Sequence, residues 1–337
     1  MYILGIESSC DETSAAIVRM EEGRREVLAN IVASQIEIHR LYGGVVPEIA
    51  SRAHIEAISR ITYEALDTAG LDIKDIGCIA VTSHPGLIGA LLVGVNFAKS
   101  LAFAHSIPLV AVNHIKAHIA AAYLEYPELS APFTALVVSG GHTAFYRVDR
   151  PTDLVEIGGT RDDAAGEAFD KIGRVIGMPY PGGAAMDKLA YEGDPKAIKL
   201  PSPAMTGDNA DFSFSGLKTA ALNYINSERQ KGEEPSHADI AASYTKVIVD
   251  AIVKKTELII DKYSPAQLVL AGGVAANSHI RGALERLCER KGVAFCRPSL
   301  GLCSDNAAMV AAAGYFEYLE GNFADTSLNA SANDDGN

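Results

Sequence analysis

Three segments of the chain share one pattern of hydrophobic and polar positions. Each begins with an apolar run rich in β-branched residues, passes through a short turn of small or polar residues, and resumes with a second periodic run. They span Tyr2 to Val18, Phe133 to Val148 and Ala266 to Ile280. This pattern predicts a strand, a tight turn, and then a strand or a helix. Such turns leave backbone N–H groups facing outward, where they can bind phosphate oxygens. One glycine-rich turn is a weak signal, but three in one chain, the first two resembling a duplicated unit, carry more weight.

Helical periodicity fills the intervals between these segments. Apolar positions from about 51 to 69 recur at helical spacing, and GLIGALLVGVNFAKSLAFAHS predicts a buried helix opened by Pro85 and Gly86. Asp239 to Tyr263 predicts a long amphipathic helix that leads into a strand over Gln267 to Leu270. Residues 184–237 contain many turn formers and predict an irregular insertion or lid.

Length and composition set the class of protein. At 337 residues the chain exceeds the size at which one hydrophobic core keeps growing, so two packed domains are expected. The formal charge of −13 argues against unaided binding of a polyanion, because phosphate contacts need clustered Lys and Arg. Tryptophan is absent and aromatic residues are sparse, which disfavours a stacking platform for single-stranded nucleic acid. A nucleic-acid substrate would therefore need local basic patches or a partner.

Cysteine usage and hydropathy indicate the compartment. The five cysteines are odd in number and form no CxxC pair, so neither a disulfide framework nor a zinc knuckle is expected. No apolar run reaches about 18 residues, and the start, MYILGIESSCDET, lacks the basic region of a signal peptide. We expect a soluble cytoplasmic protein with no membrane association.

The stretch NHIKAH, Asn113 to His118, places two histidines four residues apart. On a helix such a pair shares one face with Cβ atoms about 6 Å apart, close enough for both imidazoles to hold one ion. An arbitrary HxxxH is more often a helix in which one histidine packs and the other is solvated. Here Asp305, at a predicted helix start in LCSDNAAM, offers a third ligand. Two histidines and one carboxylate leave open coordination positions and suit Fe(II) or Zn²⁺. The protease motif HExxH requires a Glu where Ile115 stands, so a protease would lack its catalytic base.

Ten motifs lie between about residue 1 and residue 318: GIESSCDETSAAIV, YGGVVPEIASRAH, PGLIGALLVG, NHIKAH, VVSGGHT, DDAAGEAFDKIGRVIG, YPGG, DFSFSGLKTA, LAGGVAAN and CSDNAAM. Together they resemble the tRNA N6-adenosine threonylcarbamoyltransferase family of the bacterial TsaD type, once labelled O-sialoglycoprotein endopeptidase. One departure is visible, because TSHPGL has His84 where the family usually has Gly. A side chain there would restrict the backbone of a tight turn, but we do not expect it to abolish activity.

The resemblance implies an α/β protein with the two-domain actin-like ATPase fold of sugar kinases, Hsp70 and actin, built from duplicated ribonuclease H-like domains. This agrees with the repeated strand-and-turn pattern. We expect residues 1–115 and 305–322 to form the first domain, residues 116–304 the second, and residues 323–337 a tail too polar to pack and therefore disordered.

The resemblance also implies a reaction. A threonylcarbamoyl group passes from threonylcarbamoyl-AMP to N6 of the adenosine 3′ of the anticodon, in tRNAs reading codons that begin with A, with help from a metal ion. Two other functions stay open. One is a small-molecule kinase of the same fold, which would not explain the histidine pair. The other is a metalloprotease, which would explain that pair and none of the other motifs. Cys10 in the first loop suggests thiol chemistry, but a small buried residue is the favoured interpretation.

Roles carry over from the resemblance residue by residue. His114, His118 and Asp305 match the family's metal ligands, with Fe(II) in first place and Zn²⁺ as the alternative. Asp11 and Glu12 match the acidic first loop as candidate catalytic residues, Asp11 being the better base or orienting group, while helix or turn capping is an equally good interpretation of Glu12. The residues matched to substrate binding are Val138, Ser139, Gly140, Gly141, His142, Asp170, Gly183, Asp187 and Asn277. Lys171 and Arg174 are either surface charges or phosphate contacts.

Partners follow from the same resemblance. Besides tRNA and threonylcarbamoyl-AMP, it implies a complex with an inactive paralogue of the same fold and with a small P-loop ATPase. Net acidity makes tRNA capture by this chain alone unfavourable, so we expect little transfer by the isolated protein. The stretch VVPEIASRAHIEAISR is the candidate contact with the paralogue, through exposed Ile and Ala positions.

Overall fold

The computed structural model describes residues 1–334, which divide into two compact units. The first unit contains Met1–Ala131, Arg150–Leu154 and the described chain from Pro298 onward, and the second contains Pro132–Asp149 and Val155–Arg297. This division differs from the predicted boundaries at 115 and 305. A boundary at 115 would cut a helix, His114–Glu125, that directly follows a strand of the first unit.

Ten strands of the described chain form two five-stranded sheets. The first sheet contains β1 (Tyr2–Glu7), β2 (Glu12–Glu21), β3 (Arg24–Ser34), β4 (Cys78–His84) and β5 (Leu109–Asn113), and the second contains β6 (Phe133–Val138), β7 (Thr143–Arg150), β8 (Asp153–Gly159), β9 (Gln267–Ala271) and β10 (Ala294–Cys296). The first sheet lies in the first unit, and the second lies in the second unit except for the end of β7 and the start of β8.

The two sheets repeat one topology. Their orders are β3-β2-β1-β4-β5 and β10-β9-β6-β7-β8, which are the same when one is followed from the opposite edge. The first strand of each sheet pairs antiparallel with its successor and parallel with the fourth strand. The register of the first pair runs from Tyr2 opposite Arg19 to Glu7 opposite Ser14. This repeat confirms the predicted duplication and the α/β class.

Eleven helices accompany the sheets in the described residues. They are α1 (Ile36–Arg40), α2 (Pro47–Ala69), α3 (Ile88–His105), α4 (His114–Glu125), α5 (Ala165–Val175), α6 (Gly182–Leu189), α7 (Ser215–Gln230), α8 (His237–Tyr263), α9 (Ser278–Lys291), α10 (Leu300–Cys303) and α11 (Ala307–Leu319). Short 3₁₀ turns lie at Ile73–Asp75 and Gly273–Ala276.

Helices cover the central strands of the first unit. The helices α2 and α3 pack together and against β2 and β4, while α11 packs against α4 and β1. Strands β1 and β4 are therefore buried along almost their whole length, which explains why they are continuous apolar runs and not alternating ones. Within the described chain, α3 is the one helix long and apolar enough to cross a membrane by length and composition alone, a test that a core helix also passes.

Most of the predicted elements are present, with one clear error. The helices predicted after about 51, after Pro85 and before Tyr263 are α2, α3 and α8, and the strand after Gln267 is β9. The prediction of an irregular insertion over 184–237 is wrong for most of α6 and for α7, which is 16 residues long. The turn formers end where α7 begins, and its three buried positions, Leu217, Ala221 and Ile225, are too few to outweigh its polar face.

The C-terminal segment also differs from the prediction of a disordered tail. Ala324 forms a bridge with Leu109 at the edge of β5, and Ser331 donates a backbone hydrogen bond to the carbonyl of Ser83 at 2.9 Å. Leu328 packs against the hydrophobic core. The polar composition hid these contacts because most of them use the backbone. Residues 335–337 of the predicted tail lie outside the described residues.

Candidate metal centre and ligand-binding residues

The end of β5 and the start of α4 fix two imidazoles on one helix face. The side-chain oxygen of Asn113 accepts hydrogen bonds from the backbone N–H of Ile115 at 2.8 Å and of Lys116 at 3.0 Å. This N-cap makes His114 the first residue of α4 and places His118 one turn later. Both side chains are buried, and their ring centroids lie 4.6 Å apart.

A carboxylate from a distant part of the sequence joins the pair. Asn306 caps α11 by accepting a hydrogen bond from the N–H of Met309 at 3.1 Å, so Asp305 stands just before that helix. Asp305 Oδ1 lies 3.6 Å from His114 Nε2 and 3.2 Å from His118 Nε2. One ligand atom from each of these three residues lies within 4.8 Å of the others. The structure thus brings together the three residues expected to bind metal, and within residues 1–334 it assembles no second group of this kind.

Glu7, to which the sequence assigned no role, lies on the other side of the His114 ring. This carboxylate ends β1 and is fully buried. Its Oε2 lies 3.2 Å from His114 Nδ1 and accepts a hydrogen bond from Thr82 Oγ1 at 2.7 Å. Its Oε1 accepts a hydrogen bond from the N–H of Ser9 at 2.6 Å. The motif GIESS contains this residue, but the local sequence does not show that its neighbours in space come from β4 and α4.

The electrostatics of the cluster favour a positive charge. Burial opposes a charge on His114, but the carboxylates of Asp305 and Glu7 outweigh it and raise the pKa of His114 to about 9. Burial likewise opposes ionisation of Glu7, yet the adjacent His114 keeps the pKa of this carboxyl below its usual value. The two carboxylates therefore stabilise a positive charge at His114 despite its burial.

His118 supplies the clearest sign that a ligand belongs here. Among the described residues, neither of its buried ring nitrogens has a hydrogen-bond partner. Its Nε2 is close to Asp305 Oδ1, at 3.2 Å, but the two atoms are not aligned for a hydrogen bond. Buried polar atoms are rarely without a hydrogen-bond partner, so we expect a ligand to bind these nitrogens. Two imidazoles and one carboxylate are donors that both Fe(II) and Zn²⁺ accept, so the residues present fit a divalent metal ion.

The acidic first loop joins β1 to β2, so no helix begins there and helix capping does not explain Glu12. Ser34 Oγ donates a hydrogen bond to Glu12 Oε1 at 2.9 Å, while Oε2 is buried with no hydrogen-bond partner in the described chain. Burial raises the pKa of Glu12 to about 8, the carboxylates of Asp11 and Asp305 adding to the effect and the Ser34 bond opposing it. Burial also raises the pKa of the Cys10 thiol well above its usual value, which disfavours thiolate chemistry.

The loop from Val138 to His142 is a tight turn between β6 and β7. The N–H of Ser139 donates to the carbonyl of His142 at 2.7 Å, and the N–H of His142 donates to Ser139 Oγ at 3.1 Å. Gly140 and Gly141 are exposed, and a Cβ on either would meet nothing within 4 Å. The glycines therefore leave the backbone of the turn open to a ligand, as the sequence predicts for a phosphate-type loop.

Two helices of the second unit bring Asp170 and Gly183 together. The N–H of Gly183 donates to Asp170 Oδ1 at 3.0 Å. The helices α5 and α6 approach closely where Gly173 faces Gly182. Lys171, on the same helix as Asp170, forms ion pairs with Glu167 at 2.5 Å and with Asp163 at 3.2 Å, so its charge is already balanced by carboxylates.

Asp187 contacts the residue that follows Asn277. The N–H and Oγ of Ser278 both donate to Asp187 Oδ1 at 3.1 Å. Tyr191 lies beside them, with its hydroxyl 2.8 Å from Ser278 Oγ and its ring 4.2 Å from that of His279. Asn277 itself caps α9 by accepting a hydrogen bond from the N–H of Ile280 at 3.0 Å. Sequence reasoning missed Ser278 and Tyr191, whose polar groups carry no recognisable spacing.

His84 is the last residue of β4, and its backbone does not need glycine. It is not among the described residues with a positive φ, and its Nδ1 lies 2.8 Å from Ser83 Oγ. The departure from the family pattern at this position therefore introduces no left-handed strain.

Comparison with known proteins connects these residues to one family. The family model described as tRNA N6-adenosine threonylcarbamoyltransferase matches residues 26–312. A relative of that name from Clostridium botulinum strain 657 is 52% identical over 331 residues, covering 98% of this chain and 96% of the relative. A relative of the same name from Moorella thermoacetica is 53% identical over 328 residues, covering 97% and 95%.

Solved structures with much lower identity share the fold. HypF from T. kodakarensis superposes with a TM-score of 0.65 at 15% identity, covering 97% of this chain and 48% of that one. Component A of the (R)-2-hydroxyglutaryl-CoA dehydratase from Acidaminococcus fermentans gives a TM-score of 0.56 at 17% identity, covering 95% and 99%. At such identity the likeness concerns the fold alone, and it confirms the predicted actin-like architecture.

Proposed function

The chain belongs to the tRNA N6-adenosine threonylcarbamoyltransferase family, and on that premise we propose that it modifies the adenosine 3′ of the anticodon. The threonylcarbamoyl group passes from threonylcarbamoyl-AMP to N6 of that adenosine, in tRNAs reading codons that begin with A, and AMP leaves. The observation that carries this function is an identity of 52% over 331 residues, which is 98% of the chain. A kinase or a protease would leave most of these motifs unexplained.

We propose that His114, His118 and Asp305 hold one divalent ion, with Fe(II) in first place and Zn²⁺ as the alternative. The convergence of their ligand atoms within 4.8 Å and the unpartnered nitrogens of His118 in the described chain support this proposal. A bound ion would supply Lewis-acid stabilisation of the charge that develops on the transferred group and its phosphate. Three protein ligands leave coordination positions open for substrate.

The acidic loop provides a carboxylate that accepts a proton or a hydrogen bond from the attacking amine. Asp11 is the better candidate for a base or for an orienting acceptor of the N6 amino group. Glu12 suits this task less well, because its Oε1 already accepts a hydrogen bond from Ser34 Oγ at 2.9 Å and its Oε2 is buried. We therefore assign the proton-accepting role to Asp11.

The second unit offers the groups for the adenylate. In our proposal the open backbone of Gly140 and Gly141 donates to the phosphate of threonylcarbamoyl-AMP, with His142 beside it. Asp170 and Asp187 accept hydrogen bonds from the ribose hydroxyls. The amide of Asn277 contacts the adenine, while its oxygen also caps α9.

Partners complete the activity in this proposal. Charge repulsion between an acidic chain and tRNA supports a complex with an inactive paralogue of the same fold and a small P-loop ATPase, and we assign the complex to the cytoplasm. In the stretch predicted to contact the paralogue, Ile55 is exposed and Ile58 is buried. Three further apolar side chains in and after α1 are exposed: Ile38, Leu41 and Tyr42.

Transfer of labelled threonine to tRNA tests the function. The complete reaction contains the protein, its partners, an intermediate-forming synthase, threonine, bicarbonate, ATP and a tRNA that reads a codon beginning with A. We expect label in this tRNA, none in a tRNA reading a codon that begins with G, and little when the partners are omitted. ATP-dependent phosphorylation of a small substrate without tRNA would instead support a kinase, and full turnover by the isolated chain would contradict the need for partners.

A further inference from the structure

The first unit contains a fully buried carboxylate that the proposed reaction does not use. Glu7 has no exposed surface and lies at the end of β1. An ionised side chain in such a place is costly unless every oxygen has a partner. The structure supplies those partners from three different segments, so the position of Glu7 is tightly defined.

The partners of Glu7 determine which ring nitrogen of His114 faces the proposed ion. The backbone N–H of Ser9 can only donate, and it reaches Oε1 at 2.6 Å, while the hydroxyl of Thr82 reaches Oε2 at 2.7 Å. A carboxylate in this setting remains an acceptor. His114 Nδ1 lies 3.2 Å from the same Oε2 and 3.1 Å from Ser9 Oγ. A carboxylate oxygen cannot donate, so the contact with Glu7 is a hydrogen bond only when Nδ1 carries a hydrogen, which the Ser9 hydroxyl can accept as well. The second ring nitrogen, Nε2, lies on the side of Asp305 Oδ1, 3.6 Å away, and is the nitrogen left to bind an ion.

From this geometry we infer that Glu7 is a positioning residue for the metal centre, which fixes the ring and the tautomer of His114 so that Nε2 faces the ion. Metal-bound histidines commonly donate their second N–H to a carboxylate in this way, which increases the basicity of the ligand nitrogen. The inference rests on the metal centre in the proposed function. It adds a residue outside the ligand set, and it concerns only one of the two histidines.

The contrast with His118 makes the inference specific. In the described chain the buried Nδ1 of His118 has no hydrogen-bond partner, so nothing comparable orients that ring. We therefore expect His114 to be the pre-organised ligand. The alternative in which Glu7 itself binds the ion is disfavoured, because Glu7 lies at Nδ1 and Asp305 lies at Nε2, on opposite sides of one ring.

Binding of Zn²⁺ alone, measured by competition with a chromophoric chelator, provides the first test. The substitution Glu7→Gln keeps the shape of the side chain and replaces one acceptor oxygen by a donor. We expect its affinity for Zn²⁺ to fall about 10- to 100-fold, with a smaller loss for Thr82→Val, which removes one bond to the same carboxylate. The matched control is Thr62→Val, because the Thr62 hydroxyl is also buried but donates to Ile58 O within α2 at 2.8 Å. Thr62→Val should bind Zn²⁺ like the unchanged protein.

Nitrogen NMR of the unchanged protein shows directly which ring nitrogen of His114 binds the metal. A purely structural role of Glu7 would not predict this result. With ¹⁵N-labelled histidine and bound Zn²⁺, His114 should show a protonated Nδ1 and a metal-bound Nε2. This measurement remains decisive if Glu7→Gln does not fold. Metal bound to Nδ1, or a Glu7→Gln variant with Zn²⁺ affinity within about threefold of the unchanged protein, would overturn the role of Glu7. Failure of the unchanged protein to bind Zn²⁺ or Fe(II) at all would overturn the metal centre as well.

Discussion

The substitution Gly166→Ala tests whether α5 must pack tightly against the loop from Val138 to His142. Gly166 is the second residue of α5, and its N–H donates to the carbonyl of Ser139 at 3.3 Å. A Cβ on Gly166 would lie 2.6 Å from that carbonyl oxygen and 2.8 Å from the Cα of Gly140. Because ordinary van der Waals contact begins at 3.4 Å, the helix or the loop would have to move by about 0.8 Å along the closer contact.

The atoms that a Cβ on Gly166 would meet determine how much the substitution costs in stability. The two nearest atoms belong to the backbone, so no side chain can rotate to make room. Overpacking of this kind costs about 1–3 kcal/mol, and the better helix propensity of alanine offsets roughly 1 kcal/mol of it. We expect a net loss of about 1 kcal/mol in the free energy of unfolding. We also expect about tenfold weaker binding of AMP, which corresponds to a further 1.4 kcal/mol, because the N–H groups of the loop lose their alignment.

Gly216→Ala is the matched control. Gly216 is likewise the second residue of a helix, α7, but a Cβ there meets nothing within 4 Å. Urea unfolding measures the stability of both variants, and calorimetric titration with AMP measures binding. Gly216→Ala should be as stable as the unchanged protein or more so, by up to about 1 kcal/mol, and should bind AMP normally. If Gly166→Ala behaves like Gly216→Ala in both assays, the reasoning about the close approach is refuted.

The metal ligands, the first loop and the C-terminal segment each give one further test. His118→Ala should lose the bound ion and the transfer of label to tRNA, whereas His142→Ala should keep the ion and bind the adenylate more weakly; stoichiometric metal in His118→Ala by elemental analysis would contradict the ligand set. In the metal-free protein burial raises the pKa of Glu12 from its ordinary value of 4.5 to about 8. The neutral carboxyl therefore stabilises the folded state fully below about pH 4.5. This stabilisation is lost as the pH rises through about 8. A rise of the pKa from 4.5 to about 8 corresponds to at most about 5 kcal/mol, and the partial exposure of the side chain reduces this. Glu12→Gln should therefore match the unchanged protein in urea unfolding at about pH 4 and exceed it by about 2 kcal/mol at pH 9; equal stabilities at both pH values would show that Glu12 is not desolvated. Deleting residues 323–337 should lower the free energy of unfolding by about 2–3 kcal/mol, through lost apolar contacts and backbone hydrogen bonds, while Thr326→Ala, at an exposed position, should change nothing; an equally stable truncated protein would mean that the segment does not hold the edge of β5.

Local patterns in the sequence were sufficient for most of the fold. A strand buried on both faces is an apolar run, and a tight turn after it is small or polar, so β1, β6 and β9 could be located without any knowledge of their neighbours. The spacing of His114 and His118 likewise shows that they share a helix face, since four residues make about one turn. These signals are short in range and depend on one element at a time.

Residues whose function depends on distant neighbours could not be found in this way. Glu7 reads as the polar end of a strand, because its contacts with Thr82 and His114 lie 75 and 107 residues away in the sequence. Gly166 resembles any small residue in the first turn of a helix until the carbonyl of Ser139 is placed against it. The backbone contacts of the C-terminal segment leave no trace in side-chain composition, which explains the mistaken expectation of disorder.

The position of Asp305 shows how such unrecognised contacts decide the chemistry of a site. Two residues later, the N–H of Ala307 donates to Ser14 Oγ at 2.9 Å, and the carbonyl of Ala307 occupies the space that a Cβ on Gly5 would need. The start of α11 therefore reaches β1 only because residue 5 has no side chain, and Ser14 holds it there. A metal site requires its ligands within a fraction of an ångström of their working positions. Gly5 and Ser14 do not belong to the ligand set, yet they determine whether the carboxylate arrives beside His114 and His118.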